Sequence, residues 1–110
     1  MPSYSKHDIV LVRYPFSDLT SAKVRPAVVV SAPHVSQDLF VVALTSRTSN
    51  LLVGEFVLSE WSNAGLNVET AIKRGIFTIK QTLVHKRVGR IQDVDAARLD
   101  KSLRDWMDLS

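Results

Sequence analysis

Three places along the chain carry side chains suited to handling a phosphate. The first is Arg25, in Lys23-Val24-Arg25-Pro26. A guanidinium fork grips two anionic oxygens at once and keeps its charge at any working pH. Pro26 biases the residue before it away from helical backbone angles, so Arg25 leaves the preceding loop at a defined strand start. The second is Thr45-Ser46, closing an aliphatic run. Side chains alternate across a strand, so one of these two hydroxyls faces any groove beside it. The third is Lys73-Arg74, positive charge in a stretch (residues 72–78) without a carboxylate. Asp18, in the polar segment 15–24, is the nearest candidate acid. Each has an ordinary structural counterpart: a surface ion pair for Arg25, a turn-capping hydroxyl for Thr45, a turn-forming aspartate for Asp18.

Other chemistries are excluded or weakened. The chain has no cysteine, which removes a disulfide scaffold, a thiol nucleophile and a thiolate zinc site. His7, His34 and His85 do not stand in metal-ligand spacing, so neither a metal nor another cofactor is expected. His85 lies in the basic run His85-Lys86-Arg87, with Arg90 close by, which reads best as a solvated face. The net charge of +3 favours a polyanionic partner without requiring one. Trp61 and Phe77 could stack on bases, although core packing explains Phe77 better.

These groups need a frame. Residues 8–14, 26–32 and 39–44 are β-branched and aliphatic, and read as strands. Residues 54–58, 70–73, 75–79 and 87–91 are shorter extended segments, and 60–65 form a helical turn stopped by Gly65. The last segment changes period. Asp93 is a suitable N-cap, and Val94, Leu99, Leu103, Trp106 and Met107 form one helical face, with Asp95, Arg98, Lys101, Arg104 and Asp108 on the other. The expectation is one mainly β domain over residues 1–110: a small, strongly curved antiparallel sheet carrying a C-terminal helix. No apolar run approaches the ~20 residues needed to span a bilayer, and no signal peptide is present. A soluble, cytoplasmic protein with no membrane partner is expected.

The order of these blocks resembles the MazF/PemK-like toxins. Those open with Gly-Asp, an aliphatic strand, a Phe-Pro-like element, a polar loop, and Arg-Pro followed by a second aliphatic strand. Here the stretch from His7 to Ser31 follows that order, with His7 where relatives usually carry glycine. The likeness continues through Val41-Val42-Ala43-Leu44-Thr45-Ser46, residues 70–79, and Val88-Gly89-Arg90-Ile91. It implies an SH3-like barrel, a homodimer, and sequence-selective cleavage of single-stranded RNA. It also implies a cognate acidic antitoxin whose flexible tail occupies the RNA groove.

Within that resemblance Arg25 takes the part of phosphate clamp and Thr45 its hydroxyl partner. Lys23, Ser46, Lys73, Arg74 and Asp18 are further candidates for RNA contact or catalysis. One departure stands out. Many relatives carry an arginine and an aspartate, separated by one residue, before the Thr-Ile-type strand. Ile72-Lys73-Arg74-Gly75-Ile76-Phe77-Thr78 has the charge but not the acid, and is one residue shorter. Two functions of different class therefore stay open. One is a metal-independent endoribonuclease toxin. The other is a non-catalytic binding module on the same barrel, acting on a protein target as gyrase poisons do or holding RNA without cutting it.

Overall fold

A computed structural model describes residues 4–14 and 23–109. Asp18 lies outside these, and of Lys23 only the backbone is described. Among these residues seven strands, a 3-10 turn (Gln81–Leu83, between β6 and β7) and one α-helix follow in order: β1 (Asp8–Tyr14), β2 (Lys23–Val29), β3 (Asp38–Thr45), β4 (Phe56–Val57), β5 (Ala71–Ile72), β6 (Phe77–Lys80), β7 (Val84–Arg90) and α1 (Asp93–Met107). All pairings are antiparallel. The sheet runs β4-β5-β3-β2-β1-β7, with β6 also paired to β3. It does not close on itself. The expected curved antiparallel sheet with a C-terminal helix is what the chain forms.

The sheet is buried on both faces, which explains why β1 to β3 read as unbroken aliphatic runs. On one face Ile9, Val28, Val42, Leu44 and Ile72 pack with Leu58, Ile91, Ala96 and Leu99. On the other, Val10, Val12, Ala27, Val29, Leu39, Val41 and Ile79 form a second cluster. Neighbours in sequence fall into different clusters because side chains alternate. The β1–β7 ladder shifts register after Ile9 and again after Leu11, irregularities of the kind that bend and twist a strand. His7 adopts φ 80°, a left-handed backbone that suits glycine, which accounts for the residue usual there in the relatives.

The helix differs from expectation in three ways. Its N-cap is Gln92, with no side-chain cap, and Asp93 is the first helical residue. A carboxylate in the first turn still stabilises the positive helix end. Trp106, on the apolar face of the helix, is 55% exposed, as Val94 and Met107 are also exposed. Helical period gives a face but not how far the supporting sheet extends, and only Ala96, Leu99 and Leu103 reach the main cluster. Asp95, expected on the solvated face, is fully buried. Its carboxylate accepts the amides of Ser59 (2.8 Å) and Glu60 (2.9 Å), at the start of the turn carrying Trp61. Asp95→Ala would leave both amides without that partner and should destabilise the fold by about 2–3 kcal/mol in urea denaturation. A change below about 0.5 kcal/mol would show the turn to be held by other contacts.

Candidate active site

Strand alternation puts Arg25 and Thr45 on the same face of the sheet. β2 and β3 pair through Ala27↔Ala43, Val28↔Val42 and Val29↔Val41. Continued two residues, that register sets Arg25 across from Thr45. Residues directly opposite in an antiparallel pair project from one face, so guanidinium and hydroxyl share it. Arg25 is flanked on its other side by Val12 of β1, and Thr45 by Ala71 of β5. The β2–β3 ladder stops at Ala27, beside Pro26, which has no amide to continue it. Arg25 is exposed and, among the described residues, forms no ion pair. Its charge is therefore not already neutralised by a described carboxylate.

Thr45 is half-buried, and its Oγ1 accepts the Arg47 amide at 3.1 Å. The turn-capping role and a role towards a ligand are compatible, because accepting uses a lone pair and leaves the hydroxyl hydrogen to donate. Ser46 is exposed in the bend that follows the strand.

A second row lies next to the first on the same face. It begins with Ala27 and Ala43. Lys73 extends it, its amide donating to the Ala43 carbonyl at 3.0 Å. Glu55 completes it, one residue beyond the Phe56↔Ile72 pair of β4 and β5. Arg74 falls on the opposite side, its guanidinium 5.7 Å from the centre of the Trp106 ring. There it joins Ile76, Leu103 and Met107 in lining a cleft of about 640 Å³ between α1 and the β5–β6 connection. Lys73, which its backbone register places beside Ala43, borders the same cleft.

Glu55 is the residue that sequence reasoning missed. Its Oε1 accepts the Leu52 amide at 2.8 Å and its Oε2 the Arg74 amide at 3.1 Å. These two backbone hydrogen bonds, and more weakly the charges of Arg74 and Lys73, hold its pKa below the ordinary 4.5. Its folded pKa is depressed, so its contribution to stability is complete above pH 4.5 and is lost as pH falls through the folded value. It remains a carboxylate at neutral pH. A carboxylate from the residue just before β4 thus reaches the 72–78 segment, as a partner of backbone amides.

Other candidates are engaged elsewhere. Asp8, nearly buried, is contacted by Arg87 Nε at 3.2 Å and Arg90 Nη1 at 3.4 Å, so part of the basic run belongs to an internal ion pair. His7 Nε2 lies 3.0 Å from Asp100 Oδ1, tying the N-terminal turn to α1. His34 shares a turn with Ser36, its Nδ1 2.9 Å from the serine hydroxyl. His85 and Lys86 are exposed on β7. Trp61 packs against the main cluster. Phe77 is 38% exposed and stands opposite Val41, on the Thr45 side of β3. Among the described residues no group of three His, Asp or Glu side chains is placed to hold a metal ion, and no helix is long and apolar enough to cross a membrane.

Residues 5–107 match the family model for the PemK-like, MazF-like toxin of type II toxin-antitoxin system. Among solved structures, the chain is similar to an endoribonuclease in complex with its cognate antitoxin from a mycobacterial species. The TM-score is 0.78 at 12% identity, over 98% of both chains. It is also similar to the Mycobacterium tuberculosis toxin MazF-mt6, with TM-score 0.72 at 17% identity over 94% of this chain and 98% of that one. For a MazE–MazF structure from Deinococcus radiodurans the TM-score is 0.75 at 14% identity, over 97% of each chain. At these identities the likeness is one of fold. Comparison with curated protein sequences gives no match.

Proposed function

We propose that the chain, which belongs to the PemK-like, MazF-like toxins of type II toxin–antitoxin systems, is a metal-independent endoribonuclease acting on single-stranded RNA. The observation that carries this reading is that Arg25, free of any described ion pair, and Thr45 each lie two residues beyond the last β2–β3 pair, Ala27↔Ala43, and so on one face of the sheet. In the reaction the ribose 2′-oxygen forms a bond to the neighbouring phosphorus while the bond to the 5′-oxygen breaks. The products are a 2′,3′-cyclic phosphate and a 5′-hydroxyl. The proton lost by the 2′-hydroxyl returns, through water, to the departing 5′-oxygen. Arg25 holds two of the phosphorane oxygens, and the Thr45 hydroxyl donates to the same group. Stabilising developing charge with donors already in place is the large part of such catalysis. Lys73, on the same face, tracks the strand's backbone, as cationic grooves do for single strands.

The same cationic face fits a cognate antitoxin with an acidic, flexible tail, and the toxin works as a homodimer in the cytoplasm. Incubating the purified protein with a long single-stranded RNA in excess chelator tests the activity. Discrete fragments ending in cyclic phosphate are expected. Intact RNA, together with growth arrest that does not depend on RNA cleavage, would replace the nuclease with a binding module on the same fold.

A further inference from the structure

The β5–β6 connection is an unusual support for a binding residue. On β3 two residues separate Val41 from Leu44, whereas four, 73–76, separate their partners Ile72 and Phe77. The surplus must bulge, and Gly75 at φ 115° lets it turn. Such a segment has little reason to hold Lys73 in strand conformation against Ala43. What fixes it is Glu55, the only described carboxylate that accepts the Arg74 amide, and whose other oxygen is anchored by the Leu52 amide. The Leu52 to Glu55 turn is itself closed by the Glu55 amide donating to the Leu52 carbonyl at 2.9 Å. The carboxylate therefore joins two turns at one end of the β4–β5 pair, one entering β4 and the other leaving β5.

We infer that Glu55 is a positioning residue for RNA. By holding the Arg74 amide, its carboxylate keeps Lys73 in register with Ala43, so that the ammonium group lies on the Arg25–Thr45 face and meets a phosphate of the bound strand. This rests on the ribonuclease function proposed above and adds to it the role of a carboxylate that does not touch substrate. Simple electrostatics gives the opposite sign. Removing a negative charge from a basic face should tighten binding of a polyanion. Removing a carboxylate that positions a lysine should weaken it.

The test measures kcat and KM on the long single-stranded RNA, across a range of salt, for the wild type, Glu55→Gln, Lys73→Ala and the double variant. Glu55→Gln fills the same volume and keeps one acceptor oxygen, so the fold should survive; a thermal melt of each variant confirms it. Glu55→Gln should raise KM about three- to tenfold with kcat nearly unchanged, and Lys73→Ala should do the same. Each should also flatten the slope of log(kcat/KM) against log salt by about 0.7, the value for one fewer phosphate neutralised on a single strand. In the Lys73→Ala background the Glu55 substitution should add less than about a twofold effect, since its target is gone. An unchanged or lowered KM for Glu55→Gln, or independent effects in the double variant, would overturn the inference while leaving an active wild type as evidence for the nuclease. A wild type that cuts no RNA would remove both.

Discussion

Arg25→Ala should slow RNA cleavage by about 10²–10³-fold while leaving the fold intact. The size follows from what the side chain supplies. A guanidinium places two charge-assisted donors on the phosphorane, where charge develops in the transition state. Arg25→Lys keeps the charge and loses the fork, so an intermediate drop of about tenfold is expected. The stability arm matters as much. Arg25 is exposed and pairs with no described carboxylate, and substitutions at such surface positions usually shift stability within about 0.5 kcal/mol. Single-turnover cleavage and urea denaturation, measured on the same preparations, separate the two. Cleavage by Arg25→Ala within about threefold of the wild type would remove Arg25 from the chemistry. A fall in activity matched by a fall in stability would make it a structural residue.

Much of this arrangement is legible in the amino-acid order because its causes are local. Arg25 is fixed by Pro26, and the aliphatic runs of β1, β2 and β3 record burial on both faces of the sheet. The order of blocks carried the family, and the match over residues 5–107 bears it out. Where the cause is non-local, the sequence is silent. β4 and β5 are two residues each, too short to show a period, and they exist because they pair with each other and with β3. Residues 84–86 lie in β7 although only 87–91 read as extended. That strand is on the sheet's edge, where His85 and Lys86 are exposed and Arg87 pairs with Asp8, so the run lacks the apolar alternation of a strand.

The acids were hardest to read, because an acid's role depends on which amides the fold brings to it. Asp95 sits on a helix whose polar positions otherwise look solvated, yet it is buried against amides about 35 residues earlier in the chain. Glu55 is 19 residues from Arg74, in a segment that reads only as a weak strand. The departure at residues 72–78 was visible, but the Glu55 carboxylate that binds the Arg74 amide there was not.

Gly89→Ala should cost about 3 kcal/mol or more of stability, which for a chain of this size corresponds to about 12–20 °C in Tm. The block Val88-Gly89-Arg90-Ile91, which helped to carry the family resemblance, owes its glycine to close approach and not to chemistry. A Cβ on Gly89 would collide with the Ala64 carbonyl oxygen and would stand 3.4 Å from the Gly65 Cα. Neither neighbour is a side chain that can swing aside. The same carbonyl accepts the Arg90 amide at 3.2 Å, so moving it away breaks a hydrogen bond between the Trp61 turn and β7. Retreat of the turn is resisted from its other end, where Asp95 holds the Ser59 and Glu60 amides. Gly65, at φ 98°, is itself in a tight spot, because a Cβ added there would lie 2.9 Å from the Val88 carbonyl oxygen. An added methyl group thus meets the Ala64–Gly65 backbone, which places the substitution among the severe ones for a fold whose total stability is typically about 5–15 kcal/mol. Thermal melts of wild type and variant decide it: a Tm within about 4 °C of the wild type would mean that the turn and β7 can separate freely. The folded fraction of the variant should still cleave RNA, since β7 is separated from β2 by the whole of β1.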